Sequence, residues 1–191
     1  MRFVGENMVD YNKALEWLKE GNNAYINSEK NHLGDISQEK RLHTHKHGQT
    51  PYAVIITCSD SRVIPESIFM AGIGDLFIIR LAGNVVADYG LGSIEYAVGH
   101  LNTKLVVVMG HTMCGAISCA LNNHHGSYIS SIILEIQNNI KNEKDHIKAA
   151  KCNVKKTIEK INSSEVLKRC DDVKVIGALY HTHSGLVEFF K

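Results

Sequence analysis

The sequence has no excess of charge of either sign: 21 lysine and arginine residues stand against 20 aspartate and glutamate residues, a formal net charge of +1. That balance argues against the broad positive field that nucleic acid or an anionic membrane would select, and a small neutral or singly charged substrate fits better. Long hydrophobic runs are missing as well. The start, MRFVGENMVDYNKALEW, brings in Glu6 and Asp10 before an apolar stretch develops, and no later segment approaches the roughly 20 apolar residues of a membrane span. A soluble, unexported protein is expected. Five cysteines are an odd number without the spacing of a disulfide framework, and no C-x-x-C occurs. Both absences favour a reducing compartment, by default the cytoplasm, where thiols serve as metal ligands or core residues. Internal repeats and low-complexity segments are absent too. At 191 residues and 44% hydrophobic composition, the chain is long enough for one substantial core, so a single domain over residues 1–191 is expected.

Within that frame, Tyr11, Leu15 and Leu18 recur at helical spacing and predict an amphipathic helix over residues 7–26, with Asn7 or Asp10 as its cap. Residues 27–50 are polar and histidine-rich and read as a loop with at most one short helix. Four continuous apolar runs follow: Ala53 to Thr57, Leu76 to Leu81, Lys104 to Gly110 and Val173 to Tyr180. Runs of this length suit strands buried on both faces, as in a parallel sheet. Leu91, Ile94, Ala97, Val98 and Leu101 mark a crossover helix between the second and third. A short helix follows the third strand, amphipathic helices fill residues 127–169, and GLVEFF pairs antiparallel with the fourth strand. The expected fold is α/β: a mainly parallel sheet in the order 2-1-3-4 with an antiparallel edge strand, flanked by helices.

Chemistry concentrates at two strand ends. Cys58 lies just beyond the first strand and His111 just beyond the third, which is where open α/β sheets place ligands. Cys114, three residues on, falls at the first turn of a helix whose dipole favours a thiolate. Two thiolates and an imidazole match zinc's preferences, and three protein ligands leave a fourth position for chemistry. Singly, each residue reads equally well as a buried thiol or a packed histidine; three together at strand ends do not. Beside them, Asp60 and Arg62 set a carboxylate next to a guanidinium able to keep it ionised. Asp60 is thereby free to orient a nucleophile, or alternatively to bind the metal itself and close the site. His43, His45 and His47 alternate without a cysteine or carboxylate to complete a set, so they read as solvated loop residues. Cys119, Cys152 and Cys170 read as packing or surface thiols.

The strings CSDSR at Cys58 to Arg62, RLAGN at Arg80 to Asn84, IEYAVGHL at Ile94 to Leu101 and HTMCG at His111 to Gly115 resemble the β-class carbonic anhydrases, in particular small bacterial members of the plant-like branch. The resemblance runs from about Gly48 to Leu121. It implies Zn2+, one per chain, on Cys58, His111 and Cys114, and an Asp60–Arg62 catalytic dyad. It also implies substrate-binding positions at Gln49, Gly115, Phe77 and Tyr96, partly shared across a dimer interface, and a candidate proton shuttle at His100, where packing is the plainer reading. A homodimer or higher even oligomer follows, with the N-terminal helix on the partner subunit. Ile55 stands where members with an inhibitory bicarbonate site carry tryptophan, which argues against that site.

The expected activity is zinc-dependent reversible hydration of carbon dioxide to bicarbonate and a proton, by hydroxide generated at the metal. Two rivals share the ligand set: hydrolysis of carbon disulfide or carbonyl sulfide, and a zinc-binding scaffold or sensor without catalysis. The intact Asp60 and Arg62 disfavour the last.

Overall fold

A computed structural model describes residues 9–28, 34–165, 167–170 and 172–190. Five strands form one sheet: β1 (Ala53–Thr57), β2 (Leu76–Arg80), β3 (Leu105–His111), β4 (Lys174–Tyr180) and β5 (Val187–Phe190), in the order β2-β1-β3-β4-β5. The first three pairings are parallel and β4–β5 is antiparallel, as the apolar runs predict. Ile55 lies level with Ile78 and Val107, and Thr57 with Arg80 and Met109, so the carboxyl ends of β1, β2 and β3 face the same side.

Every residue of β1 and β3 is buried, because helices cover both faces. Alternate residues separate the two cores. Ile55, Val107 and Met109 pack under α1 (Tyr11–Asn27) and α3 (Pro65–Ile68), while Val54, Ile56, Val106 and Val108 pack against α4 (Asp88–Gly99) and α7 (His146–Asn162). A third cluster, built from Ile117 and Ala120 of α5 (Gly115–Leu121), Ile133 and Ile136 of α6 (Ile129–Ile140) and Ala149 of α7, lies around Cys58 and Cys114.

Three details differ from the sequence reading. Asp10 caps α1, accepting from the Asn12 and Lys13 amides at 2.7 and 3.0 Å, whereas Asn7 lies outside the described residues. The buried stripe of that helix is Ala14, Leu18 and Asn22, with Leu15 on its border and Tyr11 exposed. Asn22 can be buried because its amide is satisfied on both sides, donating to Gly185 O at 2.8 Å and accepting from the Val187 amide at 2.8 Å.

Second, the one short helix allowed within residues 27–50 is α2 (Gln38–His47), and it carries the histidines that read as solvated loop residues. It has no buried residue and hence no apolar periodicity to read. Its signals are local: Ser37 caps it through the Lys40 amide, basic residues occupy its last turn, and Gly48 stops it at φ +82°. His43 and His47 lie one turn apart with ring centroids 4.7 Å from each other.

Third, β3 runs one residue further than its apolar run. His111 pairs with Tyr180, and the Thr112 amide still bonds to Tyr180 O at 2.9 Å, so this ligand is held inside the sheet rather than on the loop after it.

Candidate metal centre

β1 and β3 deliver the site. Thr57 Oγ1 donates to Met109 O at 2.9 Å, locking the two strand ends together just before the chain leaves the sheet at Cys58. Cys58, His111 and Cys114 are all buried, and their ligand atoms lie within 4.8 Å of one another. Among the described residues this is the only cluster of three or more histidine, cysteine or acidic side chains with that geometry. Tetrahedral zinc, with bonds of about 2.0 to 2.3 Å, spaces its ligands at roughly 3.5 to 4 Å, so small side-chain rotations close the set.

The imidazole supplies the sharpest test of fit. His111 Nδ1 lies 2.9 Å from Thr112 O, so Nδ1 carries the hydrogen and Nε2 keeps its lone pair. Nε2 is fully buried and has no hydrogen-bond partner. A buried acceptor without a donor is costly in a folded protein, and a cation between it and the two sulfurs removes that cost. The thiols fit equally well. The Cys58 thiol is pulled below its ordinary range chiefly by a hydrogen bond from Cys114, with the amides of Asp60 and Gly83 contributing, while burial opposes. The same contact, with burial, pushes Cys114 up. A divalent cation that binds both sulfurs displaces the protons they carry.

Asp60 stands beside the trio without joining it. Its carboxylate is gripped by Arg62 through Nε to Oδ1 at 2.9 Å and Nη2 to Oδ2 at 2.7 Å, and the Arg62 amide adds a third bond at 3.0 Å. This fork holds the Asp60 carboxyl well below the usual carboxylate range. Arg62 Nη2 also donates to Met113 O at 3.0 Å, so one guanidinium joins the loop after Cys58 to the loop before Cys114. Met113 meets that demand in the left-handed region, at φ +56°.

A family model described as carbonic anhydrase matches residues 53–187, spanning β1 to the start of β5 and every residue of the site. The chain belongs to the β-carbonic anhydrase family. It is 44% identical over 117 residues to carbonic anhydrase 2 of Mycobacterium tuberculosis, an alignment covering 60% of this chain and 55% of that protein. It is 49% identical over 76 residues to a carbonic anhydrase of Synechococcus elongatus, covering 37% and 28%. The chain thus spans about half the length, or less, of these curated relatives. Among solved structures, the β-carbonic anhydrase CafA of Aspergillus fumigatus superposes with a TM-score of 0.73 at 29% identity, over 80% of this chain and 81% of that one. The Coccomyxa β-carbonic anhydrase, solved with acetazolamide, gives 0.72 at 25% identity, over 80% and 78%. Zinc is the cofactor of β-carbonic anhydrases, and Cys58, His111 and Cys114 form the group here that could hold it.

The remaining family positions do not gather at this trio. Gly115 does, as the first residue of α5 directly after Cys114. Gln49 precedes the amino end of β1, and Phe77 is level with Val54, about 10 Å of strand from the end that carries Cys58. Phe77, Tyr96 and His100 form an aromatic line of their own, with centroids 6.1 Å and then 5.4 Å apart.

Two other residues at the site are given no role by the sequence reading. Arg80, level with Thr57, donates from Nε to Cys58 O at 3.1 Å and from Nη2 to Asp60 O at 2.7 Å, fixing the backbone on either side of Ser59. His146, opening α7, places Nε2 3.2 Å from Cys114 O and 3.1 Å from Ser118 Oγ. Arg80 has a readable signal, the last position of a strand beside the one that ends at Cys58. His146 has none, being 32 residues from Cys114 with no pattern linking them.

Proposed function

We propose that this protein catalyses the reversible hydration of carbon dioxide to bicarbonate and a proton. The observation that carries the reading is the ionised Asp60 carboxylate, held by Arg62 with Oδ2 3.8 Å from the unpartnered His111 Nε2. Zinc bound by Cys58, His111 and Cys114 supplies Lewis-acid activation of water near neutral pH. Asp60 accepts the O–H of the attacking oxygen and so turns a lone pair toward the carbon of carbon dioxide. Arg62 keeps Asp60 ionised and in place, since a protonated or rotated carboxyl would not accept that bond. Arg80 stops the Cys58–Asp60 backbone from shifting the carboxylate away from the nucleophile. The Gly115 backbone, directly after Cys114, would help orient the substrate oxygens.

Gln49, Phe77 and Tyr96 wall the pocket of a second copy rather than their own, because they lie toward the opposite end of the strands. On this reading the active unit is a homodimer or higher even oligomer, with α1 adding contacts to the partner; two relatives from Sordaria macrospora are tetrameric. His100, exposed and stacked on Tyr96, is the candidate that would pass the product proton outward. All five cysteines are free, in keeping with a cytoplasmic setting, and among the described residues no helix is long and apolar enough to cross a membrane.

Stopped-flow carbon dioxide hydration with metal analysis across pH tests the reading. One zinc per chain and activity rising on the alkaline side are expected, since two thiolates offset the ion's charge. A zinc-loaded chain that turns over carbon disulfide but not carbon dioxide would replace it.

A further inference from the structure

The Cys58 sulfur accepts a hydrogen bond from a backbone amide more than twenty residues away, that of Gly83, at 3.2 Å. Gly83 lies in the left-handed region at φ +66°, and Asn84 follows at φ +48°, so the turn is not one the chain adopts unaided. It is anchored from behind. The Gly83 carbonyl accepts from Asn153 Nδ2 at 2.7 Å, and Asn153 Oδ1 in turn accepts from Asn139 Nδ2 at 2.9 Å. Asn153 is 0% exposed in the middle of α7, a position the amphipathic pattern assigns to an apolar residue. A buried amide there is costly, where a leucine would stabilise, unless both of its ends are satisfied. Both are, and the chain of contacts from Asn139 through Asn153 and Gly83 terminates on the Cys58 sulfur.

We propose that Asn153 is a positioning residue for Cys58: by fixing the Gly83 carbonyl it sets the direction of the Gly83 N–H onto the sulfur, and through that bond it adjusts how strongly the thiolate donates to zinc. This rests on Cys58, His111 and Cys114 being zinc ligands. Packing determines where Gly83 sits, since a Cβ there would come 2.6 Å from Ile136 Cδ1 and 3.1 Å from Ala116 Cβ. Packing does not determine the rotation of the peptide group that follows Gly83, and that is what the Asn153 bond holds; through the Gly83 dihedrals it constrains the preceding peptide, whose N–H meets the sulfur. An N–H directed at a thiolate withdraws electron density and leaves more positive charge on the ion. The effect has weight where two thiolates already offset that charge.

The test uses the full chain and two readouts other than turnover: zinc release to a chelator, and the thiolate-to-cobalt charge-transfer band of the cobalt-substituted protein. Asn153→Ala is expected to speed zinc release about tenfold and to move the band. Thr157→Val serves as the structural control. Thr157 is buried on the same helix and its hydroxyl bonds back to Asn153 O at 3.0 Å, so its loss should lower the melting temperature and leave both readouts at wild-type values. An Asn153→Ala protein that is merely less stable, with release within about twofold of wild type and an unmoved band, would overturn the positioning role. Should Asn153→Ala fail to fold, Asn139→Ala decides: it removes only the outer bond, and a smaller band shift in the same direction supports the inference while an unmoved band overturns it. A wild-type chain that takes up cobalt without any thiolate band would overturn the metal reading itself, and this inference with it.

Discussion

Asp60 Oδ2 lies 3.8 Å from His111 Nε2, close enough to share a neighbouring oxygen atom and too far to hydrogen-bond. Both Asp60 oxygens are already committed to Arg62. A carboxylate so held must give up its arginine contacts before it can complete a four-ligand shell, which favours the orienting role over the closed alternative that the sequence leaves open. The distinction lies in the fork geometry of arginine, which a lysine would not reproduce.

Asp60→Asn should therefore keep its zinc and lose its turnover. The amide retains the size of the carboxylate but presents a donor where the nucleophile needs an acceptor. A fall in kcat of about 100-fold with one zinc per chain is expected, measured by stopped-flow hydration and metal analysis of the same preparation. Loss of zinc in parallel with activity would instead make Asp60 a ligand.

Cys114→Ala should lose both. Cys114 is buried, caps α5 and supplies one of only three ligand atoms, so its removal leaves a two-ligand site. Stoichiometric zinc with full turnover in this variant would refute the assignment. Circular dichroism should show an unchanged fold, because the rest of the local cluster, Ile117, Ile133 and Ile136, remains.

The strands and their order are legible in the sequence because buried parallel strands are continuous apolar runs, and no other element imitates AVIIT or KLVVVMG. Cys58, His111 and Cys114 are legible because few side chains ligate metals and all three fall at strand ends. What is not legible depends on approach in three dimensions. Asn153 sits on the apolar face of α7 and reads there as an error of pattern, until the Gly83 carbonyl is seen against it. Helix α2 is hidden for the opposite reason: it buries nothing, so only its cap and its stop are written in the chain. In α1, hydrophobicity points to Tyr11 and Leu15, while the helix turns Ala14 and Asn22 inward because backbone from α3 and β5 comes close on that side.

That close approach separates two glycines of similar sequence context. Gly21 lies within α1 and Gly92 within α4, and propensity alone makes alanine better at both by about 1 kcal/mol. At Gly92 nothing lies within 4 Å of a Cβ, so Gly92→Ala should raise the melting temperature by a few degrees. At Gly21 a Cβ would stand 1.9 Å from Phe69 O and 2.6 Å from Phe69 C, both backbone atoms that cannot rotate aside. Gly21→Ala should cost about 2 kcal/mol as α1 is forced off the sheet. Thermal melts of the two variants should move in opposite directions, and a shared direction would show that α1 is not seated as described.

Glu188 on β5 ties the edge strand to α7, accepting from Lys151 Nζ at 2.8 Å with His181 Nε2 3.6 Å away. The Lys151 contact lowers the Glu188 pKa below its ordinary 4.5. A carboxyl that holds its proton less tightly when folded stabilises the protein above that ordinary value, and the contribution disappears as pH falls through the lower, folded one. The side chain is 44% exposed, so solvent screening limits the effect to about 0.5 kcal/mol or less. Glu188→Gln should accordingly be slightly less stable than wild type in denaturant titrations near pH 7. The gap should narrow as pH is taken from about 5 toward 3, and shrink in molar salt at neutral pH. A difference that is the same at both ends of that range would assign the loss to the introduced amide group, since glutamine keeps the Glu188 stem, and the ion pair would then contribute nothing to holding β5 on the sheet.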